Sequence, residues 1–139
     1  MLFRSGSIIN VSSVGAFSAT PGSVSYSATK AWMNMFTTGL HLELLAAGSP
    51  VRVQALCPGL TRTEFHATMG MNVEKIPAFA WMQAEEVVEA SLAGLARGKL
   101  IVIPGWGNRL MVLFMELMPS FLLNRLSIAA GRKMGRVEQ

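Results

Sequence analysis

The stretch Ser7-Ile8-Ile9-Asn10-Val11-Ser12-Ser13 decides the architecture of this chain. It is short, apolar and β-branched, and two serines end it, so it reads as a buried strand. Next comes a loop, Val14–Val24, punctuated by Pro21-Gly22. Ser23 is placed to cap a helix running to about Ala47, with Ala28, Ala31, Met35, Leu42 and Leu45 as its apolar stripe. Gly48-Ser49-Pro50 stops that helix. Val51–Pro58 reads as a second strand. A connection from Thr61 to Trp81 follows, with a short helix expected near Glu64–Met69. Ala84–Arg97 reads as a helix, with Val87, Val88, Leu92 and Leu95 at helical spacing and Gly98 just beyond its end. Lys99–Gly105 reads as a third strand. Two further helices are expected at about Asn108–Met118 and Ser120–Lys133.

Strand, helix, strand, helix, strand with apolar strands implies an α/β fold, its strands paired in parallel through right-handed crossovers. The first strand is apolar enough to want a neighbour on each side, yet the chain begins only a few residues before it. An unpaired strand of that type leaves backbone groups unsatisfied at an apolar edge. The sequence therefore reads as part of a domain.

Composition bounds the function. Hydrophobic residues make up 51% of the 139 and charged residues 14%, against about a quarter charged in ordinary soluble domains. All eight acids are glutamates, and net charge is +4. Arg109, Arg125, Arg132, Lys133 and Arg136 concentrate the positive charge near the C-terminus, where Glu116 is the one acid between Arg109 and Arg136. Basic residues interleaved with apolar ones suit a solvated tail or a membrane surface. Neither a dense basic run nor a nucleic-acid-binding motif is present. Cys57 is the single cysteine, so no intramolecular disulfide forms and a reducing, cytoplasmic compartment is the expectation. The first residues lack the pattern of a signal peptide. Leu110–Leu123, the longest apolar stretch, is interrupted by Glu116 and Pro119 and is shorter than the roughly 18–20 residues that span a bilayer. His41 and His66 belong to no metal pattern, so no metal is expected.

The chemistry-bearing pair is Tyr26 and Lys30. Four residues apart on a helix, they share one face. A free phenol ionises near pH 10, too high for a base at neutral pH. A nearby ammonium favours phenolate and makes proton exchange with an alcohol or carbonyl practical. Ser13, at the carboxyl end of the first strand, stands where open parallel sheets bind ligands. Ser12 reads as a strand-end cap and Asn10 as structural. Taken alone, Tyr-x-x-x-Lys is a common coincidence, equally an exposed helix pair.

Three segments in this order narrow the choice: Gly6–Ser13 (GSIINVSS), Tyr26–Lys30 (YSATK) and Pro58–Phe65 (PGLTRTEF). Over residues 1 to about 105 the chain resembles the short-chain dehydrogenase/reductase family. The resemblance implies the C-terminal half of a Rossmann-like, doubly wound parallel sheet of three strands with flanking helices. Residues 1–105 would be the partial catalytic domain and 106–139 a C-terminal helical extension. It implies hydride transfer between NADP or NAD and a carbonyl or alcohol. In that reading Ser13 polarises the carbonyl, Tyr26 is the general acid, and Lys30 favours the phenolate and holds the nicotinamide ribose. Pro58, Gly59, Thr61 and Thr63 meet the carboxamide and diphosphate; Thr61 and Thr63 equally suit capping of a helix at Glu64.

The family's glycine-rich turn, its NAD- or NADP-selecting residue and its Asn-Asn-Ala-Gly strand do not occur in this sequence. The chain thus reads as a truncated portion that does not turn over alone. Phe65, Met69, Met71, Ile76, Phe79 and Trp81, with Trp106, Met111, Phe114, Met115 and Phe121, point to an apolar substrate such as an acyl chain or sterol, hence lipid or steroid metabolism, or else to ordinary core contacts. The helix Ser25–Ala47 corresponds to one the family uses for dimer packing, so a homo-oligomer is expected of the full-length form. The rival reading is a non-catalytic module that pairs with full-length subunits or rests on a membrane surface through its C-terminal helices.

Overall fold

A computed structural model describes residues 5–63 and 77–133. Its elements, in order, are strand β1 (Ser7–Val11), a 3-10 turn (Val14–Phe17), helix α1 (Val24–Ala46), strand β2 (Arg52–Leu56) and a second 3-10 turn (Ala78–Ala80). Helix α2 (Ala84–Ala96), strand β3 (Ile101–Val102) and helices α3 (Trp106–Leu117) and α4 (Ser120–Lys133) follow. The helix expected at Glu64–Met69, with Phe65, His66, Met69, Met71 and Ile76, lies outside the described residues, as does the side chain of Phe79.

The sheet is parallel, in the order β1-β2-β3. Ile8 pairs with Val53 and Asn10 with Ala55 across β1 and β2, and Leu56 pairs with Val102 across β2 and β3. β3 is shorter than the sequence suggests. Pro104 has no N–H to donate, and Gly105 turns the chain at φ 80° into α3. Among the described residues β1 pairs only with β2, and its Ile8 and Val11 side chains are exposed. Among the described residues the first strand is therefore an edge of the sheet.

The two sheet faces differ. Ile8, Asn10 and Ser12 alternate with Ile9 and Val11, so they point the other way. The Asn10 face meets α1: Asn10 Nδ2 donates to Thr37 Oγ1 at 2.9 Å, and Cys57 Sγ to Asn34 Oδ1 at 3.4 Å. The Gln54 face meets α2. Gln54 is fully buried; its Oε1 accepts from Ser91 Oγ at 2.7 Å and its Nε2 donates to the Ser91 carbonyl at 3.1 Å. Leu56, Val87 and Val102 form a small core on that face, flanked by Ile9 and Met82. Both crossovers step in one direction across the sheet, yet their helices lie on opposite faces, so they have opposite hands. The right-handed rule therefore holds for one of the two and not for both. The long connection between β2 and α2 gives the chain room to pass to the other face.

The stripe expected to anchor α1 is on its outside. Ala28, Ala31, Met35, Leu42 and Leu45 are all exposed, Met35 at 72%, and Trp32 stacks on Phe36 beside them at a 5.2 Å ring separation. The inner side carries Ser27, Lys30, Asn34 and Thr37, because it meets the polar end of β1. On α2, likewise, Val87, Ser91 and Gly94 face the sheet while Val88 and Leu92 are exposed. Gly94 lets helix and strand approach, since a Cβ there would run into Val102 Cγ2. α2 begins with a capping box, Gln83 as cap with Glu86 at the third position. Ser23 stands at the α1 cap position, but its hydroxyl donates back to the Thr20 carbonyl at 2.8 Å and makes no side-chain cap.

Candidate active site

The carboxyl ends of β1 and β2 carry the polar residues singled out above. Ser13, extended at φ −166°, leads β1 into the first 3-10 turn, and its Oγ accepts from Gly15 N–H at 3.0 Å. Tyr26 sits in the first turn of α1. The two side chains both approach Gly15 where a Cβ would stand: that atom would lie 3.2 Å from Tyr26 Cε1 and 3.4 Å from Ser13 Oγ. The missing methyl is what lets the phenol ring lie against the serine segment.

Lys30, one turn further along α1, sends Nζ back to the Val11 carbonyl at 2.8 Å. The same nitrogen lies 5.8 Å from the Tyr26 ring centroid. A second bond closes a clamp between helix and strand: Ser12 Oγ donates to the Lys30 carbonyl at 3.0 Å, and Ser12 itself is buried. Strand end and helix are thus fixed to each other at two points around Lys30. The helical spacing of Tyr26 and Lys30 was legible in the sequence; the part played by Ser12 was not, because a serine at a strand end signals only a cap.

The segment after β2 joins the same edge. Val14 N–H donates to the Pro58 carbonyl at 2.9 Å, which binds the turn beside Ser13 to the Pro58-Gly59 loop. Thr61 Oγ1 donates to the Gly59 carbonyl at 3.1 Å, and Thr61 bridges to Met82. Thr63 is exposed, and the helix it was expected to cap lies outside the described residues. Gly59 is covered by Asn108 of α3, whose side chain would lie 2.5 Å from a Cβ there. Asn108 Nδ2 in turn donates to the Pro104 carbonyl at 2.9 Å. Ser13, Tyr26, Lys30, Pro58, Gly59 and Thr61 therefore share one edge of the sheet. Gly15, Asn34 and Asn108 join them without any motif to announce them.

Cys57 directly follows β2 beneath this edge, fully buried. Burial pushes its thiol above the ordinary value of 9.0, against smaller opposing pulls from Ser12, Asn34, the Ser13 backbone and Lys30. It is a packed thiol and not an activated one. His41 is half-buried on α1. Among the described residues no group of three or more His, Cys or Glu is placed to hold a metal.

Comparison with known proteins gives the family and the fold. The family described as short chain dehydrogenase matches residues 1–74. A 3-oxoacyl-[acyl-carrier-protein] reductase of Aquifex aeolicus is 34% identical over 113 residues, covering 73% of this chain and 45% of its own length. The structure of a short chain dehydrogenase from Burkholderia cenocepacia in complex with NADP superposes with a TM-score of 0.70 at 32% identity, over 88% of this chain and 47% of that one. A bulky-bulky ketone specific alcohol dehydrogenase from Comamonas testosteroni gives a TM-score of 0.57 at 31% identity, over 96% of this chain and 44% of that one. The chain spans less than half the length of the curated relatives it matches, from 36% to 47% of each. Its three parallel strands and flanking helices are part of a Rossmann-like sheet, and the chain belongs to the short-chain dehydrogenase family.

Proposed function

We propose that this chain carries the substrate-side half of an NAD(P)-dependent oxidoreductase that interconverts an apolar ketone and its alcohol. The observation that supports it best is the grouping at the β1 end: Ser13 Oγ and the Tyr26 ring both packed close to Gly15, with Lys30 Nζ over the ring. In this reading the Ser13 hydroxyl donates to the substrate oxygen and polarises the carbonyl. The Tyr26 O–H passes its proton to that oxygen as it gains negative charge, and takes it back in the oxidative direction. Lys30 places its positive charge 5.8 Å from the centroid of the Tyr26 ring.

NADP or NAD, when bound, supplies or accepts the hydride. The residues present fit its nicotinamide end. An ammonium has three donors, and the contact to the Val11 carbonyl uses one of those on Lys30, leaving it able to hold ribose hydroxyls. Pro58, Gly59 and Thr61 lie along the same edge, where the carboxamide and diphosphate would pass, and the exposed Thr63 follows them in the chain. The glycine-rich turn that receives a diphosphate is not in this sequence, so the 139-residue chain by itself is inactive. The apolar substrate class draws on two relatives whose names specify 3-oxoacyl groups and bulky ketones. On α3, Met115 is turned toward the fold while Trp106 and Phe114 are exposed, so the tail supplies fewer substrate contacts than its composition suggests.

Fluorescence titration of the purified chain with NADPH and NADH tests the reading. The expected result is no micromolar binding by the chain, and ketone reduction by a longer polypeptide that adds a glycine-rich strand, turn and helix before it. Micromolar binding by the chain overturns its inactivity; an inert longer polypeptide overturns the activity. The exposed apolar side of α1 favours a second reading, in which the chain is a non-catalytic module pairing with longer subunits. Mixing it with such a subunit and finding no mixed oligomer by light scattering excludes that role.

A further inference from the structure

The two C-terminal helices turn the wrong side outward for a free-standing surface. α3 is amphipathic, but the side that meets the fold carries Asn108, Val112 and Met115, while Trp106, Leu110, Leu113, Phe114 and Leu117 are exposed. These five recur at helical spacing and form one stripe along the whole helix. On α4 the inner side carries Leu123, Ser127, Ala130 and Gly131, and a Cβ on Gly131 would stand 3.0 Å from Pro21 of the turn before α1. The outer side places Phe121, Arg125, Ile128 and Arg132 at spacings of four, three and four, all exposed. Apolar and cationic groups therefore alternate along one line. Glu116, the single acid in 106–133, lies on the flank of α3 and off that stripe.

We propose that α3 and α4 form a peripheral docking surface for an anionic lipid membrane, with the Trp106–Leu117 stripe in the interface and Arg125 and Arg132 on acidic headgroups. An amphipathic helix lies in the interfacial plane when apolar residues on one side can enter the acyl boundary and cations can reach the headgroups. Arginine side chains on the same outer line as Phe121 and Ile128 can bury their stems and keep the guanidinium at headgroup level. Spanning is not available: α3, at 12 residues, is about 18 Å long against a hydrocarbon core of about 30 Å. A twofold contact between copies fits less well. It would desolvate Arg125 and Arg132 in a patch that offers them no carboxylate except Glu116 on its flank. α3 meets the active-site edge through Asn108 and Gly59, and α4 meets Pro21, so docking would hold that edge close to the lipid.

The test is cosedimentation of the 139-residue chain with sucrose-loaded vesicles of phosphatidylcholine alone and of phosphatidylcholine mixed with phosphatidylglycerol. Binding at least about tenfold tighter to the anionic vesicles, weakened by salt, is expected. Arg125→Glu with Arg132→Glu should weaken that binding by at least about tenfold. Trp106→Gln with Leu113→Gln should lower it on both vesicle types, with the helical circular dichroism of the free chain unchanged. Equal partition to both vesicle types, no binding, or full binding by the Arg125→Glu, Arg132→Glu variant would overturn the proposal. So would a lipid-free dimer that the Trp106→Gln, Leu113→Gln variant dissolves.

Discussion

At the scale of the residue, Tyr26 is both the proposed acid and the one tyrosine of the chain. Tyr26→Phe keeps the ring against Gly15 and removes only the hydroxyl. In a longer polypeptide that supplies the nucleotide-binding half, it should lower ketone reduction by at least about a hundredfold. Steady-state rates, with circular dichroism to confirm the fold, check this. Cys57 makes a prediction of a different kind. Its thiol is raised above 9.0 by burial, so the unfolded chain releases that proton first as pH rises. The folded state then binds more protons than the unfolded one, and stability falls as pH climbs past the ordinary value. Urea unfolding across alkaline pH should show that loss, and Cys57→Ala should flatten it. Below that range both states keep the proton and the group contributes no slope.

At the scale of the element, α2 shows how packing overrides propensity. Alanine at a helix interior is favoured over glycine by about 1 kcal/mol. At Gly94, however, the added methyl would meet Val102 Cγ2 and approach Gln54 Nε2. Overpacking of that kind costs about 1–3 kcal/mol. Gly94→Ala should therefore destabilise the chain in urea, and Val102→Ala should recover part of the loss in the double variant. The helices themselves were legible from spacing and breakers: α1 and α4 run almost as read, and Gly98 ends α2 at φ 70°. Their orientation was not. Periodicity locates an apolar stripe but does not say whether the sheet or a partner covers it. For α1 the sheet meets Ser27, Asn34 and Thr37, and the apolar stripe is left over.

At the scale of the molecule, that leftover face is long: Trp32 is 62% exposed and Met35 72%, with Leu42 and Leu45 further along the same helix. Apolar exposure of this extent in one stripe marks an interaction surface. Size-exclusion chromatography with light scattering should find the chain oligomeric, and Trp32→Gln with Met35→Gln should shift it toward monomer. A monomeric wild-type chain at the same concentration would contradict that assignment. The edge of β1 belongs to the same scale, since its backbone groups on one side find no strand among the described residues.

By itself the sequence determined the order of strands and helices, their parallel pairing and the family, because breakers, periodicity and the segments GSIINVSS, YSATK and PGLTRTEF are local signals. Tyr26 and Lys30 were legible as neighbours because a helix fixes residues four apart. Only the tertiary structure decided that Gly15 opens the space between Ser13 and Tyr26, that Ser12 clamps Lys30, and that α2 crosses to the face opposite α1. Each of these depends on which side chains meet across the sheet, and such contacts join residues whose spacing along the chain carries no period.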